Sequence, residues 1–345
     1  MSTQPPASID SEAALDDVLT SPRPQLVQYI KTLTSPLLIL GAGGKMGPSL
    51  AVLAKRAAQQ AGHDLEVIAA SRFSNRAARD WLEARGVKTI VANALQRDDL
   101  AALPDADNVI YLVGQKFGTS ANPSGTWIAN TLAPALAAER FRSARIVGLS
   151  TANVYPLSSV ASGGSREEDP LTPLGEYANA AVARERVLEY FSQQHGTPIA
   201  ILRLSYALDL RYGVIADIAG KVLRGEPISM ASGHFNAIWQ GDANELILRS
   251  LDLTASPAAA FNLSGPMLAA REIAQQLGGL LGRSPVYEGE ESGTALVCDT
   301  SRLNDLLGMP ATPLSAVLRW TADWVRNNGR SLNKPTHFET RDGKY

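Results

Sequence analysis

The segment PLLILGAGGKMGPSL, residues 36–50, restricts the fold more than any other part of the chain. A short apolar run meets a turn carrying Gly41, Gly43, Gly44 and Gly47, and a helical pattern of small and apolar residues then continues to Gly62. An unbroken apolar run bounded by a turn and a helix reads as a strand buried on both faces, as in a parallel sheet. Gly41, Gly44 and Gly47 spell G-x-x-G-x-x-G, and Gly41 with Gly43 opens a G-x-G. Glycines so spaced permit a tight turn, close approach of the backbone to a pyrophosphate, and close helix–strand packing. The helix N-terminus that follows offers unpaired N–H groups and positive dipole to the same anion. The loop, with Lys45 and Met46 inside it, therefore reads as a dinucleotide-binding turn. It is not a nucleoside-triphosphate loop, because Met46 follows Lys45 where Ser or Thr would be needed.

Strand and helix signals alternate from there. LEVIAAS, VKTIVAN, NVIYLVG, ARIVGLS and PIAILRLSY read as strands, with helical patterns between them, including TWIANTLAPALAAERFR and residues 175–194. Such alternation implies crossover connections and an α/β fold, a doubly wound parallel sheet of the Rossmann type. Past residue 206 the pattern loosens into helices separated by Gly- and Pro-bearing loops, a smaller α+β C-terminal substrate-binding region. The expected organisation is an N-terminal arm and short helix over 1–35, loose to about residue 24. The dinucleotide-binding domain covers 36–205, and a partly interwoven substrate-binding region 206–328. A tail at 329–345 lacks periodicity.

Composition bounds the function classes. A net charge of −2 gives no electrostatic case for nucleic acid or an anionic membrane. No run of eighteen apolar residues exists, and the N-terminus lacks the basic and apolar regions of a signal peptide. The four histidines are not spaced as a metal pair, so no metal site is expected. Cys298 is the single cysteine, which excludes an intrachain disulfide and suggests a reducing compartment, the cytoplasm. A small-molecule substrate is the expected partner.

The strand LEVIAAS ends in Ser71 and Arg72. A carboxylate at this position would accept hydrogen bonds from the adenosine ribose of NAD; a hydroxyl and a guanidinium suit a 2′-phosphate instead. NADP is the expected cofactor, with NAD possible.

With the glycine loop, the later blocks resemble the extended short-chain dehydrogenase/reductase family, the nucleotide-sugar epimerase/dehydratase type, over roughly residues 36–328. GVKTIVANALQRDDL resembles the family's third strand, which aligns Asn93, with Ala94 beside it, to the adenine contact. Val113 and Gly114, ending the fourth strand, fall where that family contacts cofactor. TWIANTLAPAL resembles the helix bearing a structural and catalytic Asn, here Asn130. IVGLSTANVYP resembles the block carrying a catalytic hydroxyl, which falls on Thr151, with Pro156 in place of a Gly. GEYANAAVARE resembles Y-x-x-x-K-x-x-x-E: Tyr177 and Glu185 are kept, and Ala181 stands where the Lys would be. In that family the phenolate takes a proton as hydride leaves, the Ser/Thr hydroxyl holds the substrate oxygen, and the Lys lowers the phenol pKa and contacts a ribose. A phenol, with a pKa of about 10, is otherwise a poor base at neutral pH.

The resemblance implies that a replacement cation is needed. Lys116, following the fourth strand in YLVGQKFGTS, is the expected substitute. Arg184, seven residues after Tyr177, reads as too distant and as a helix-face charge. The family's diphosphate-gripping Arg aligns near Phe235, which argues against a nucleotide sugar. The expected substrate contacts are Asn153, Arg211, Tyr212, His234, Asn236 and Trp239, with Arg211 pairing to a carboxylate or phosphate. The helices at 126–142 and 176–194 carry many small residues, and the corresponding helices of that family pair into a four-helix bundle, so the resemblance implies a homodimer. The expectation is an NADP-dependent oxidoreductase or epimerase acting on a small sugar, sugar acid or related polyol. Two alternatives stand beside it: a catalytically silent NADP-binding sensor or regulatory protein, and a non-redox isomerase or dehydratase.

Overall fold

The computed structural model describes residues 5–115, 121–334 and 336–343. Its helices are α1 (Glu12–Leu19), α2 (Pro24–Tyr29), α3 (Gly47–Ala61), α4 (Arg76–Glu83), α5 (Arg97–Ala101), α6 (Pro123–Arg140), α7 (Glu176–His195), α8 (Val214–Arg224), α9 (Gln240–Arg249), α10 (Ala270–Leu281), α11 (Ser301–Leu307) and α12 (Leu314–Arg326). Its strands are β1 (Leu37–Leu40), β2 (Val67–Ser71), β3 (Lys88–Val91), β4 (Asn108–Tyr111), β5 (Arg145–Thr151), β6 (Ser158–Ser159), β7 (Ile199–Leu204), β8 (Tyr206–Leu208), β9 (Pro227–Ser229), β10 (His234–Trp239), β11 (Ala259–Leu263), β12 (Met267–Ala269), β13 (Val286–Glu288) and β14 (Thr294–Ala295).

The central sheet has seven parallel strands in the order β11-β7-β5-β4-β1-β2-β3. From β1 the chain builds outward through β2 and β3, then returns to the other side of β1 for β4 and β5. The order therefore reverses between β1 and β4, the crevice where doubly wound sheets receive ligands. Leu37 to Leu40 are all buried because helices cover both faces. On one face Leu37 and Ile39 pack with Leu26 of α2, Leu50 and Leu53 of α3 and Leu246 of α9. On the other, Leu38 and Leu40 pack with Leu136 of α6 and Leu188 of α7. The edge strand β11 comes from the C-terminal half of the chain.

The second lobe packs α8, α10 and α12 against the small sheet β12-β10-β8, around Ile218, Phe235, Trp239, Ile273 and Trp320. From Ile9 onward the N-terminal arm is not loose. Ser11 caps α1, accepting from the Ala14 amide at 3.2 Å, and Leu15 and Leu19, one helical turn apart, are buried in this second core with Ile9. Arg23 then ties the segment to α9, donating to Glu245 at 2.8 Å and lying 3.3 Å from Asp242. The polar composition of the arm concealed a short amphipathic helix. The tail is folded too. Thr336 bonds Asp217 through its amide and hydroxyl, Phe338 lies 5.9 Å from Phe235, and Arg341 donates to Ala231 and Thr294 carbonyls. Among the described residues no helix is long and apolar enough to cross a membrane, and no cluster of three His, Cys, Asp or Glu side chains could hold a metal.

Burial pushes the Cys298 thiol from 9.0 up to about 12, with Glu167 and Asp299 adding to the effect. Burial, Asp217 and Tyr177 likewise push Tyr212 from 10.0 to about 12. For these acids the unfolded chain loses its proton first, so the folded state is progressively disfavoured as pH rises above about 9 toward 12. Cys298 is expected to resist a thiol reagent at pH 7.5 until the protein is unfolded in urea. The melting temperature is expected to fall above pH 9, and less steeply in Cys298→Ala; fast labelling of the folded protein would contradict this burial.

Candidate active site

The glycine loop lies at the carboxyl end of β1 and closes tightly on its neighbours. Gly41 has φ +82°, and a Cβ there would lie 2.8 Å from the Val113 amide at the end of β4. A Cβ on Gly43 would lie 2.8 Å from Ser71 Oγ, and one on Gly47 2.5 Å from the Ala42 Cα. Any side chain would force the loop off β2, β4 and its own turn. No side chain caps α3 at Met46, so the N–H groups of its first turn, to which Pro48 does not contribute, have no side-chain acceptor from a cap. Bare backbone and an uncapped helix N-terminus suit a pyrophosphate.

Beyond the loop the cleft runs over the carboxyl ends of β4, β5 and β7. Its walls include Lys45, Met46, Gly114, Thr151, Asn153, Tyr177, Arg184, Tyr206 and Tyr212. Thr151 ends β5; its hydroxyl donates to Asn153 Oδ1 at 2.9 Å and accepts from the Asn153 amide at 3.2 Å. Tyr177 lies in the first turn of α7, after Gly175 at φ +88°. Lys45 reaches across the cleft, donating to the Ala207 carbonyl at 2.7 Å and lying 4.2 Å from the centre of the Tyr212 ring.

A buried network holds this wall. Glu185 and Arg203 form an ion pair at 2.8 Å, with side chains 0% and 4% exposed. The Ser150 hydroxyl donates to Glu185, and Arg203 also donates to the Tyr155 hydroxyl at 2.6 Å. Tyr155 in turn donates to Asn262 Oδ1 at 2.8 Å. The network therefore clamps α7 to β5, β7 and β11, the elements that present Tyr177 and Thr151. Glu185 stands out in sequence only through its place in the resembling block; Arg203, Tyr155 and Asn262 carry no local signal.

Arg72 is exposed just after β2, and among the described residues it makes no hydrogen bond or ion pair. Asn93 accepts from the Leu95 amide at 3.1 Å, and its own amide donates to Asp99, so it shapes the turn next to Ala94. Asn130 is fully buried behind the cleft; its Nδ2 donates to Thr126 and its Oδ1 has no partner.

Four of the expected substrate contacts lie away from the cleft. Arg211 is committed to Asp209 at 2.8 Å and to Glu12 and Asp16 at 3.3 Å, a cross-link to α1. His234 faces Glu291, at 3.4 Å. Asn236 bonds the Gly265 carbonyl and both backbone groups of Cys298, and Trp239 packs on Trp320 at 5.4 Å in the second core. For Arg211, Asn236 and Trp239 the local polar or aromatic character serves the fold of the second lobe. Lys116 lies outside the described residues. Arg184, read from sequence as a surface charge, is 5% exposed and lines the cleft. Helical side chains lean toward the N-terminus, so a long side chain reaches back over the preceding turn.

The model of the NAD dependent epimerase/dehydratase family matches residues 37–241. No curated protein matches the chain in sequence. Solved structures agree in fold. The UDP-glucose 4-epimerase of Thermotoga maritima, determined with UDP-glucose, is 17% identical, with TM-score 0.69, covering 85% of this chain and 99% of its own. The dTDP-glucose 4,6-dehydratase DesIV of Streptomyces venezuelae, determined with NAD, is 20% identical, with TM-score 0.70 and coverage of 85% and 97%. The UDP-glucuronic acid 4-epimerase of Bacillus cereus is 17% identical, with TM-score 0.69 and coverage of 85% and 99%.

Removing one member of a buried ion pair leaves the other charge uncompensated, at a cost of about 3–5 kcal/mol. Glu185→Gln and Arg203→Met are each expected to lose that much stability in urea denaturation, and Glu185→Gln/Arg203→Met together less than their sum. Losses under about 1 kcal/mol would show that the pair is not desolvated.

Proposed function

Because the chain belongs to the NAD dependent epimerase/dehydratase family, we propose that it is an NADP-dependent oxidoreductase or epimerase acting on a small sugar, sugar acid or related polyol. The observation that carries the reading is the meeting of Thr151 and Tyr177 on one cleft wall, at the switch point beside the glycine loop. Gly41, Gly43, Gly44 and Gly47 and the start of α3 would hold the pyrophosphate, and Val113 and Gly114 would flank the reacting end. When bound, the dinucleotide accepts or returns a hydride. Thr151 holds the substrate oxygen through its hydroxyl, and Asn153 orients that hydroxyl. Tyr177 takes the proton from the substrate hydroxyl at its own oxygen, or returns it in the reverse direction.

Arg72 supports NADP over NAD: an exposed guanidinium without a carboxylate partner among the described residues, beside Ser71, suits a phosphate dianion. Several of the similar structures were determined with NAD. Phe235 supports a small substrate. It is 1% exposed, packed between Tyr206 and Phe338, and offers no cation to a diphosphate. Trp127, Ile128 and Leu132 of α6 and Tyr190 of α7 are exposed, which supports a homodimer through these helices. The single, buried Cys298 suits a reducing cytoplasm. Ala181, fully buried and without a cation at that helical position, favours a second reading, an NADP-binding sensor that does not turn over.

Calorimetric titration is expected to give NADP an affinity at least roughly tenfold, or about 1.4 kcal/mol, above that of NAD. Arg72→Asp is expected to reverse the preference. Equal affinities in the unaltered protein would remove Arg72 from the argument, and binding of neither would remove the reading. In a thermal-shift screen UDP- and dTDP-sugars are expected to leave the melting temperature unchanged; strong stabilisation by one would show a diphosphate site.

A further inference from the structure

The Arg184 guanidinium is buried in the cleft wall, without a countercharge among the described residues. Its Nη1 donates to the Val113 carbonyl at 3.3 Å, a long bond, and its Nε has no acceptor. No carboxylate among the described residues pairs with it, and residues 116–120 contain no Asp or Glu. Next to it, Asn130 Oδ1 is buried and equally unpaired, as is the Tyr111 hydroxyl. The space the guanidinium occupies exists because residue 114 is glycine: a Cβ there would lie 2.6 Å from Nη1. Arg184 follows Ala181 by three residues, on the same face of α7, and its side chain leans back toward the turn that holds Tyr177.

A desolvated cation with one weak neutral acceptor destabilises the protein that carries it. Arg184 lines the cleft, so a ligand bound there can supply oxygen acceptors that the described residues do not. We infer that Arg184 supplies the positive charge that α7 lacks at Ala181, binding oxygen atoms of the dinucleotide at the end beside Tyr177 and Thr151. The inference rests on the dinucleotide reading above and names the residue that makes the contact at its reacting end. It also assigns Gly114 a reason: that glycine leaves room for the guanidinium to lie between β4 and α6. Lys116 is then not required as the substitute.

The test compares Arg184→Met and Arg184→Lys with the unaltered protein. Affinities for NADP+ and for 2′,5′-ADP, which carries only the adenosine end, are measured by calorimetry, and melting temperatures without ligand by calorimetric scanning. For Arg184→Met the affinity for NADP+ is expected to fall tenfold or more and that for 2′,5′-ADP to stay within twofold. Its ligand-free melting temperature is expected to be unchanged or higher, because an unpaired buried charge has been removed. Arg184→Lys is expected to keep NADP+ affinity within about threefold. The inference is overturned if Arg184→Met binds NADP+ as the unaltered protein does. It is overturned equally if both ligands weaken alike, or if the variant melts far lower or does not fold, since the arginine would then be holding the structure together. Failure of the unaltered protein to bind either ligand is a different result, which removes the dinucleotide reading and this inference with it.

Discussion

The structure depends on a backbone contact that only glycine allows. Gly41, at φ +82°, turns the chain off β1 within van der Waals contact of the Val113 amide at the end of β4. That approach sets the β1–β4 crevice, and the crevice decides where α3 begins, which strand ends face each other, and which side chains meet. Gly47 extends the constraint by seating α3 against the Ala42 backbone. A methyl group at either position would widen the loop or tilt the helix, and everything further along the cleft would move with it.

The second organising force is electrostatic, and it works with opposite sign at two places on one helix. Glu185 is fully buried and fully matched: Arg203 and Ser150 satisfy it, and Tyr155 and Asn262 continue the network into β11. Such a network rigidifies the wall that carries Tyr177 and Thr151. One residue earlier, Arg184 is buried and unmatched. Side chains at consecutive helix positions point about 100° apart, so one faces the fold and the other the cleft. The contrast separates a structural charge from one held in reserve for a ligand.

The architecture was legible because its signals are local and strong: an apolar run, a glycine turn and helical periodicity, repeated along the chain. Thr151, Asn153, Tyr177 and Tyr212 line one cleft; they stand out in the sequence through the resemblance of their blocks to the family, whereas the glycine loop stands out by its own strand–turn–helix setting. What escaped the sequence depended on pairing across long separations. Arg211 reads as a free loop cation until Asp209, Glu12 and Asp16 are seen around it, and Asn236 reads as a polar ligand contact until it closes on Cys298. The helix Glu12–Leu19 was hidden by its acidic content, since only Leu15 and Leu19 of it are buried. Arg184 was misread because distance was counted between backbone positions, whereas a long helical side chain covers the turn before its own.

The central claim is that one cleft binds a dinucleotide with its adenosine end at Ser71 and Arg72, its pyrophosphate on the glycine loop, and its reacting end at Thr151 and Tyr177. A crystal structure of the protein with NADP+ tests it most directly. The account predicts the 2′-phosphate in contact with Arg72, the pyrophosphate against the first turn of α3, and the nicotinamide ring within reach of the Tyr177 hydroxyl. A dinucleotide bound outside the β1–β4 crevice, or bound in it with the nicotinamide at Arg72 and the adenine at Tyr177, would contradict it.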